Sequence, residues 1–195
     1  MKKYILSSSL ILLAFALLFI IAGRIGKPRN LSYSDCSVRM VVDTDYFKVA
    51  GKEIENARKS IDLIMFELVY YPGKNGPSNK LLNGLIKARK RGIRVRVIME
   101  GGERYLGPKF TRKVRRTADF LRFSGIMVRR DGNGQTTHAK LLIIDTTDVL
   151  VGSTNWSYYS LTKNHETNVL VKSRNLALQF TNYFDKLWNK GKPFN

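Results

Sequence analysis

Beyond about residue 38 the chain alternates amphipathic stretches with short apolar runs. Phe47 to Lys59 repeats apolar residues at helical spacing (Val49, Ala50, Ile54, Ala57), and Ile61 to Tyr70 reads as a buried strand. Tyr71 to Asn79, with Pro72, Gly73, Gly76 and Pro77, is a loop. Ser78 or Asn79 caps a helix through about Arg91, which turns Leu81, Leu82, Leu85, Ile86 and Ala88 inward. Gly92 ends that helix, and Ile93 to Met99 is the next strand. A basic helix near Phe110 to Phe123 follows, then a short strand around Ile126 to Arg129. Strands at Thr137 to Asp145 and Val149 to Ser153, an extended stretch from Glu166 to Val171 and a helix from Asn175 to about Asn189 complete the chain. This alternation predicts an α/β fold, a mixed β-sheet sandwiched by helices.

The N-terminus has a different pattern. Tyr4 to Gly23 carries no charge and Ile5 to Ala22 is almost wholly apolar, long enough to span a bilayer. A cleaved secretory signal wants a shorter apolar core and a small-x-small site just after it. Ala14 and Ala16 have that spacing but lie mid-stretch, so an uncleaved transmembrane anchor is favoured. The expected organisation is an anchor over residues 1–24, a polar tether over 25–37 and a catalytic domain over 38–195. Lys2 and Lys3 balance Arg24, Lys27 and Arg29 across the span, so the charges fix no orientation.

Charge narrows the partners. The chain has 34 basic and 15 acidic residues, a net +19. Setting aside Lys2 and Lys3 leaves +17 on the remainder, because no acid precedes Asp35. Such an excess points to a polyanion, either a nucleic acid or the face of an anionic membrane. Cys36 is the only cysteine, which excludes an intramolecular disulfide and a multi-cysteine zinc cluster.

Candidate chemistry gathers late in the chain. Strand periodicity puts His138 and Lys140 on one face and Asp145 on the other. A tight hairpin centred on Thr146 and Thr147 pairs Asp145 with Asp148, Lys140 with Ser153, and His138 with Asn155. Four polar side chains then converge at the wet end of an otherwise apolar strand, either as a reacting centre or as a hydrogen-bonded structural cluster.

His138-x-Lys140, four residues, Asp145, six residues, Gly152-Ser153-x-Asn155 resembles the HKD motif of the phospholipase D superfamily. The order of elements from about Val38 onward is similar as well. A single His-x-Lys resembles the single-motif branch, with its bacterial endonucleases and mitochondrial-type members, and implies a homodimer whose two chains share one active site. The resemblance implies that one His138 attacks phosphorus and the partner's His138 protonates the leaving oxygen. It also implies that Lys140, Asn155 and Ser153 hold the phosphoryl oxygens with no metal and no cofactor. Glu166 matches the acidic position that in the family orients the histidine, in its own chain or the partner's; the rival reading is a strand-end surface glutamate. Asp145, despite its place in the motif, is assigned to structure through turn or backbone hydrogen bonds.

Arg94, Arg96, Arg112 and Arg115 are candidate phosphate-backbone contacts, against the alternative of solvated faces. Trp156, Tyr158 and Tyr159 directly follow the motif and either stack on bases at the cleft rim or pack in the dimer interface. The expected activity is metal-independent phosphodiester hydrolysis, with an endonuclease of low sequence specificity ahead of a phospholipase D or phosphatidyl transferase acting on anionic phospholipid. A non-catalytic membrane tether for nucleic acid is the third reading.

Overall fold

The computed structural model describes residues 36–101, 106–131 and 134–194. The anchor expected over 1–24 and most of the tether lie outside these residues. Among the described residues, no helix is long and apolar enough to cross a membrane. The elements in chain order are β1 (Ser37–Val42), α1 (Asp45–Asn56), β2 (Ser60–Met65), α2 (Pro77–Lys90), β3 (Arg94–Met99), α3 (Gly107–Phe123) and β4 (Met127–Arg130). They continue with β5 (Lys140–Ile144), β6 (Asp148–Gly152), α4 (Tyr158–Thr162), β7 (Thr167–Lys172), α5 (Arg174–Lys190) and β8 (Lys192–Pro193).

The strands form one sheet in the order β1-β7-β6-β5-β2-β3-β4-β8. Strands β2, β3 and β4 run parallel, joined by helical crossovers, and the remaining pairs are antiparallel. Every residue of β2 is buried, which its place between β3 and β5 and its cover on both faces require. On one face Leu63, Met65, Val97, Leu142 and Ile144 join a core with Ile54, Leu82, Leu85, Ala118 and Leu121 of the first three helices. On the other, Ile64, Ile98, Leu141 and Ile143 pack with Ala177 and Phe184 of α5. Helices therefore cover both faces of a mixed sheet, as the periodicity predicts.

Three expectations change. The strand expected from Thr137 to Asp145 spans only Lys140–Ile144, so Thr137 and His138 precede it. The run Ile61 to Tyr70 stays in the sheet only to Met65, because Glu67 and Val69 exchange backbone hydrogen bonds with Trp156 instead. The helix expected to be capped by Ser78 or Asn79 begins at Pro77, and both side chains turn back to brace the preceding loop. Parallel β2 and β3 end together at Met65 and Met99, and Met65 pairs with Lys140. The His138 segment thus lies at the carboxyl ends of the parallel strands, where open α/β sheets place their ligands.

Candidate active site

The hairpin that carries the motif is set by Asp145. Its carboxylate accepts from the N–H groups of Arg58, Lys59 and Ser60 at 2.9, 2.7 and 2.9 Å, and its own N–H donates to the Ser60 carbonyl at 2.9 Å. These four bonds draw Asp145 out of the ladder toward the start of β2. The turn therefore centres on Asp145 and Thr146, both at positive φ (55° and 56°), and the Thr147 N–H closes it on the Ile144 carbonyl at 2.9 Å. Ile144 pairs with Asp148 and Leu141 with Val151. The expected register is corrected by one residue, so continuing it sets Lys140 opposite Gly152 rather than Ser153.

Ser153 and Asn155 are placed by contacts made beyond the end of β6, not by the ladder. The Ser153 N–H donates to the Thr167 carbonyl at 3.0 Å, and Asn168 holds Thr154 through both its amide atoms. The chain then crosses to the end of β2. There Asn155 Oδ1 accepts from the Glu67 N–H at 3.1 Å, which leaves its NH2 group as the remaining donor. Gly152 is the pivot: a Cβ there would lie 2.3 Å from the Thr167 carbonyl oxygen and 2.6 Å from Asn168 Cα.

His138 precedes β5 in a loop that distant residues fix. Glu100 accepts from the Thr137 N–H at 2.7 Å, and the Thr137 hydroxyl donates to Asp131 at 2.5 Å. The exposed imidazole lies against Phe66, with ring centroids 4.7 Å apart, and Phe66 in turn meets Phe110 at 5.6 Å. Among the described residues neither imidazole nitrogen has a hydrogen-bond partner.

Lys140 is 6% exposed, its Nζ donating to the His138 carbonyl at 2.6 Å and lying 5.0 Å from the Phe66 ring centroid. Burial pushes its ammonium below the ordinary lysine range, and the charge of Glu166 pulls the other way. Glu166 is 7% exposed, so the surface-glutamate reading is corrected. It accepts from the Ser153 hydroxyl and from the Asn164 amide at 3.2 Å, while its N–H donates to Asp43 at 2.8 Å. That last bond holds the Asp43 carboxyl below its usual range. One end of the sheet therefore presents an imidazole, a buried ammonium, an amide donor and a hydroxyl–carboxylate pair.

The domain family described as "Cardiolipin synthase, PLD-like domain" matches residues 51–188, a span that contains every one of these groups. The chain belongs to the phospholipase D-like family. Among its relatives is the mitochondrial cardiolipin hydrolase of Chlamydomonas reinhardtii, 26% identical over 166 residues, which cover 85% of this chain and 65% of that protein. Another is the virion nicking-joining enzyme of vaccinia virus (strain Western Reserve), 29% identical over 159 residues, 76% of this chain and 35% of that one. The chain thus spans less than two thirds of either relative's length. Among solved structures, the phospholipase D family member Nuc from Salmonella typhimurium has the same fold, with a TM-score of 0.69 at 24% identity over 83% of this chain and 99% of that chain. NucT from Helicobacter pylori is similar, with a TM-score of 0.64 at 17% identity over 82% and 100%.

Not every predicted contact residue lies at the site of this phospholipase D-like chain. Trp156 is fully buried and donates from Nε1 to the Tyr46 hydroxyl at 3.0 Å, so it is a core residue and no base can stack on it. Arg96 is also corrected. It makes paired bonds to Asp62 at 2.7 and 2.8 Å, reaches Asp185 at 2.8 Å and lies over the Phe184 ring, all beneath α5. Arg94 sits at the start of β3, paired with Ser60 at the end of the sheet away from His138, and its guanidinium lies 3.6 Å from Asp62. The cause is shared: the buried Asp62 carboxylate needs cationic partners, and the arginines on that sheet face supply them. Arg96→Ala is therefore expected to cost stability, about 3 kcal/mol, because the buried Asp62 carboxylate keeps only the half-exposed Arg94 guanidinium at 3.6 Å. A lower denaturation midpoint with an unchanged salt dependence of nucleic-acid binding checks this. Arg112 and Arg115 are exposed on α3, the helix whose Phe110 meets Phe66 and whose Lys113 reaches Glu67 at 2.8 Å.

Phe66, Glu100, Asp131, Thr137 and Asn168 also build the site. No local pattern marks them, since each acts through a partner brought in from another element.

Proposed function

We propose that the chain is a metal-independent phosphodiesterase acting through a phosphohistidine intermediate, with single-stranded or duplex nucleic acid as substrate. The observation that carries this reading is the convergence of exposed His138, buried Lys140 and the Asn155 amide at one end of the sheet. His138 attacks phosphorus, a P–N bond forms and the P–O bond to the leaving group breaks. The His138 imidazolium of a second copy gives its proton to that leaving oxygen. The same imidazole then takes a proton from water, whose oxygen displaces the first His138 from phosphorus. Lys140 and Asn155 hold the non-bridging oxygens; the Ser153 hydroxyl, whose single proton goes to Glu166, joins them by turning that proton from the carboxylate to a phosphoryl oxygen when substrate binds. A cycle that needs two imidazoles, in a chain with a single His-x-Lys, supports completion of the site by a second copy across a two-fold axis.

The relative named virion nicking-joining enzyme and the exposed arginines of α3 beside the site support nucleic acid. The relatives named mitochondrial cardiolipin hydrolase favour a second reading, hydrolysis of an anionic phospholipid, with residues 1–24 as an anchor that holds the site at a bilayer. The full chain, with EDTA present, is incubated with single-stranded DNA, duplex DNA, RNA and cardiolipin vesicles. Cleavage of a nucleic acid is the expected result, and hydrolysis of lipid alone overturns the preference.

Lys140 also sets a pH dependence. It holds an anionic oxygen only while protonated, and burial lowers its pKa. The alkaline limb of kcat/KM should therefore fall below the ordinary lysine range, and Lys140→Arg should move that limb upward at reduced kcat. In stability the sign is opposite to that of a paired lysine. The burial penalty is full below the folded pKa and is relieved as pH climbs from there to the unfolded value.

A further inference from the structure

The loop between β2 and α2, together with the start of α4, encloses a cleft of about 380 Å³ that the proposed chemistry does not use. It falls in the range of sites that hold small organic groups, about 300–1,000 Å³. Its walls are Tyr71, Pro77 and Tyr158, with Lys74 and Asn75 exposed at the rim. We infer that this cleft is a base-binding subsite, which takes a nucleobase of a single-stranded nucleic acid while the neighbouring phosphate lies at His138. The inference rests on the nucleic-acid reading of the site.

The cleft lies close to the reacting group. Tyr158 is three residues beyond Asn155, so their Cα atoms are at most about 11 Å apart. Both stand on the segment that exchanges backbone bonds with Glu67 and Val69. The wall residue Tyr158 and the proposed phosphate ligand Asn155 thus share a segment bonded just beyond the carboxyl end of β2, the end of the sheet where His138 lies.

Its walls are preformed. A loop rich in Gly and Pro would ordinarily sample many shapes, but two buried polar side chains fix this one. Asn79 accepts from the Tyr71 N–H at 2.9 Å and donates to the carbonyls of Tyr71 and Lys74 at 2.6 and 2.7 Å. Ser78 donates to the carbonyls of Val69 and Trp156, the latter at 2.8 Å. The Tyr71 hydroxyl then accepts from the Tyr158 N–H at 3.1 Å, joining the two aromatic walls. A preformed cleft binds without the cost of ordering its walls.

The lining also suits a base. Tyr158, which lines the cleft, is 45% exposed, and Tyr159, outside the lining, stands edge-on to it at 5.5 Å. Exposed tyrosine faces beside a rim lysine suit a flat aromatic group attached to a polyanion. Lipid chains also suit apolar walls, but two tyrosine walls held together through the Tyr71 hydroxyl suit a flat stacked ligand better than a flexible chain.

The test uses the full chain and a short single-stranded oligonucleotide, intact or with one abasic residue scanned along it. Binding is read by fluorescence anisotropy on a His138→Ala background and hydrolysis on the wild-type background. One abasic position should weaken binding and raise KM about tenfold. Tyr158→Ala should impose the same loss on the intact strand and almost none on that abasic strand, and Tyr158→Phe should restore it. Equal effects of Tyr158→Ala on both strands, or none on either, overturn the subsite. So does a Tyr158 dependence seen only with cardiolipin vesicles. Hydrolysis without base discrimination refutes the subsite and keeps the nucleic-acid reading; base-dependent binding without hydrolysis does the reverse.

Discussion

A His138→Ala chain is expected to keep its fold and lose at least about 10⁴-fold in turnover, because the imidazole is both nucleophile and acid–base group in the proposed cycle. The fold should survive, since the ring is exposed and lies against Phe66 at the surface. The anchors on either side do not need the ring: Thr137 is held by Glu100 and Asp131, and Lys140 bonds the His138 carbonyl, which alanine retains. An unchanged denaturation midpoint beside absent hydrolysis checks both halves. The same variant probes the shared site. When wild-type and variant chains are mixed and allowed to exchange, a site that needs both imidazoles loses activity as the square of the wild-type fraction. Independent sites lose it linearly.

Gly152→Ala is expected to be strongly destabilising, with the closest Cβ contacts among the described glycines. Its Cβ would overlap the Thr167 carbonyl oxygen and the Asn168 backbone, neither of which can rotate away. Strand β6 would have to separate from β7, at a cost of about 3 kcal/mol or more. Ser153 and Asn155 come directly after that pivot, so the groups proposed to hold the phosphoryl oxygens would move with it. Displacements near 1 Å at such groups cost about 10²-fold in rate. A lowered denaturant midpoint with reduced kcat in the fraction that remains folded is the expected pair of results. Full activity at full stability would mean that Asn155 is positioned independently of the glycine.

Much of the fold was legible because its signals are periodic. The apolar runs at Ile61, Ile93 and Leu141 are buried strands, and the helices with a hydrophobic stripe formed close to their expected bounds. The register of the hairpin was not legible. It depends on three backbone N–H groups, at Arg58, Lys59 and Ser60, that bind Asp145 from 85 to 87 residues away. Strand alternation carries no record of such a contact. The same limit explains Arg96 and Trp156. Each has the residue type of a ligand contact, but Asp62 claims the arginine and Tyr46 the indole, from elements far along the chain. His138, Lys140, Ser153 and Asn155 were legible as a set through their spacing. Their meeting place depends on the sharp exit after Gly152 rather than on cross-strand pairing.

The proposed chemistry turns on a covalent bond to one nitrogen atom. The most direct test is to quench a turning-over mixture of the full chain and a single-stranded oligonucleotide, with EDTA present, in denaturant at alkaline pH, where a phosphohistidine survives. Mass spectrometry of the peptide that contains His138 should find it carrying the phosphoryl-linked part of the substrate. Turnover with that peptide unmodified, or with the adduct on another residue, would contradict the proposed mechanism.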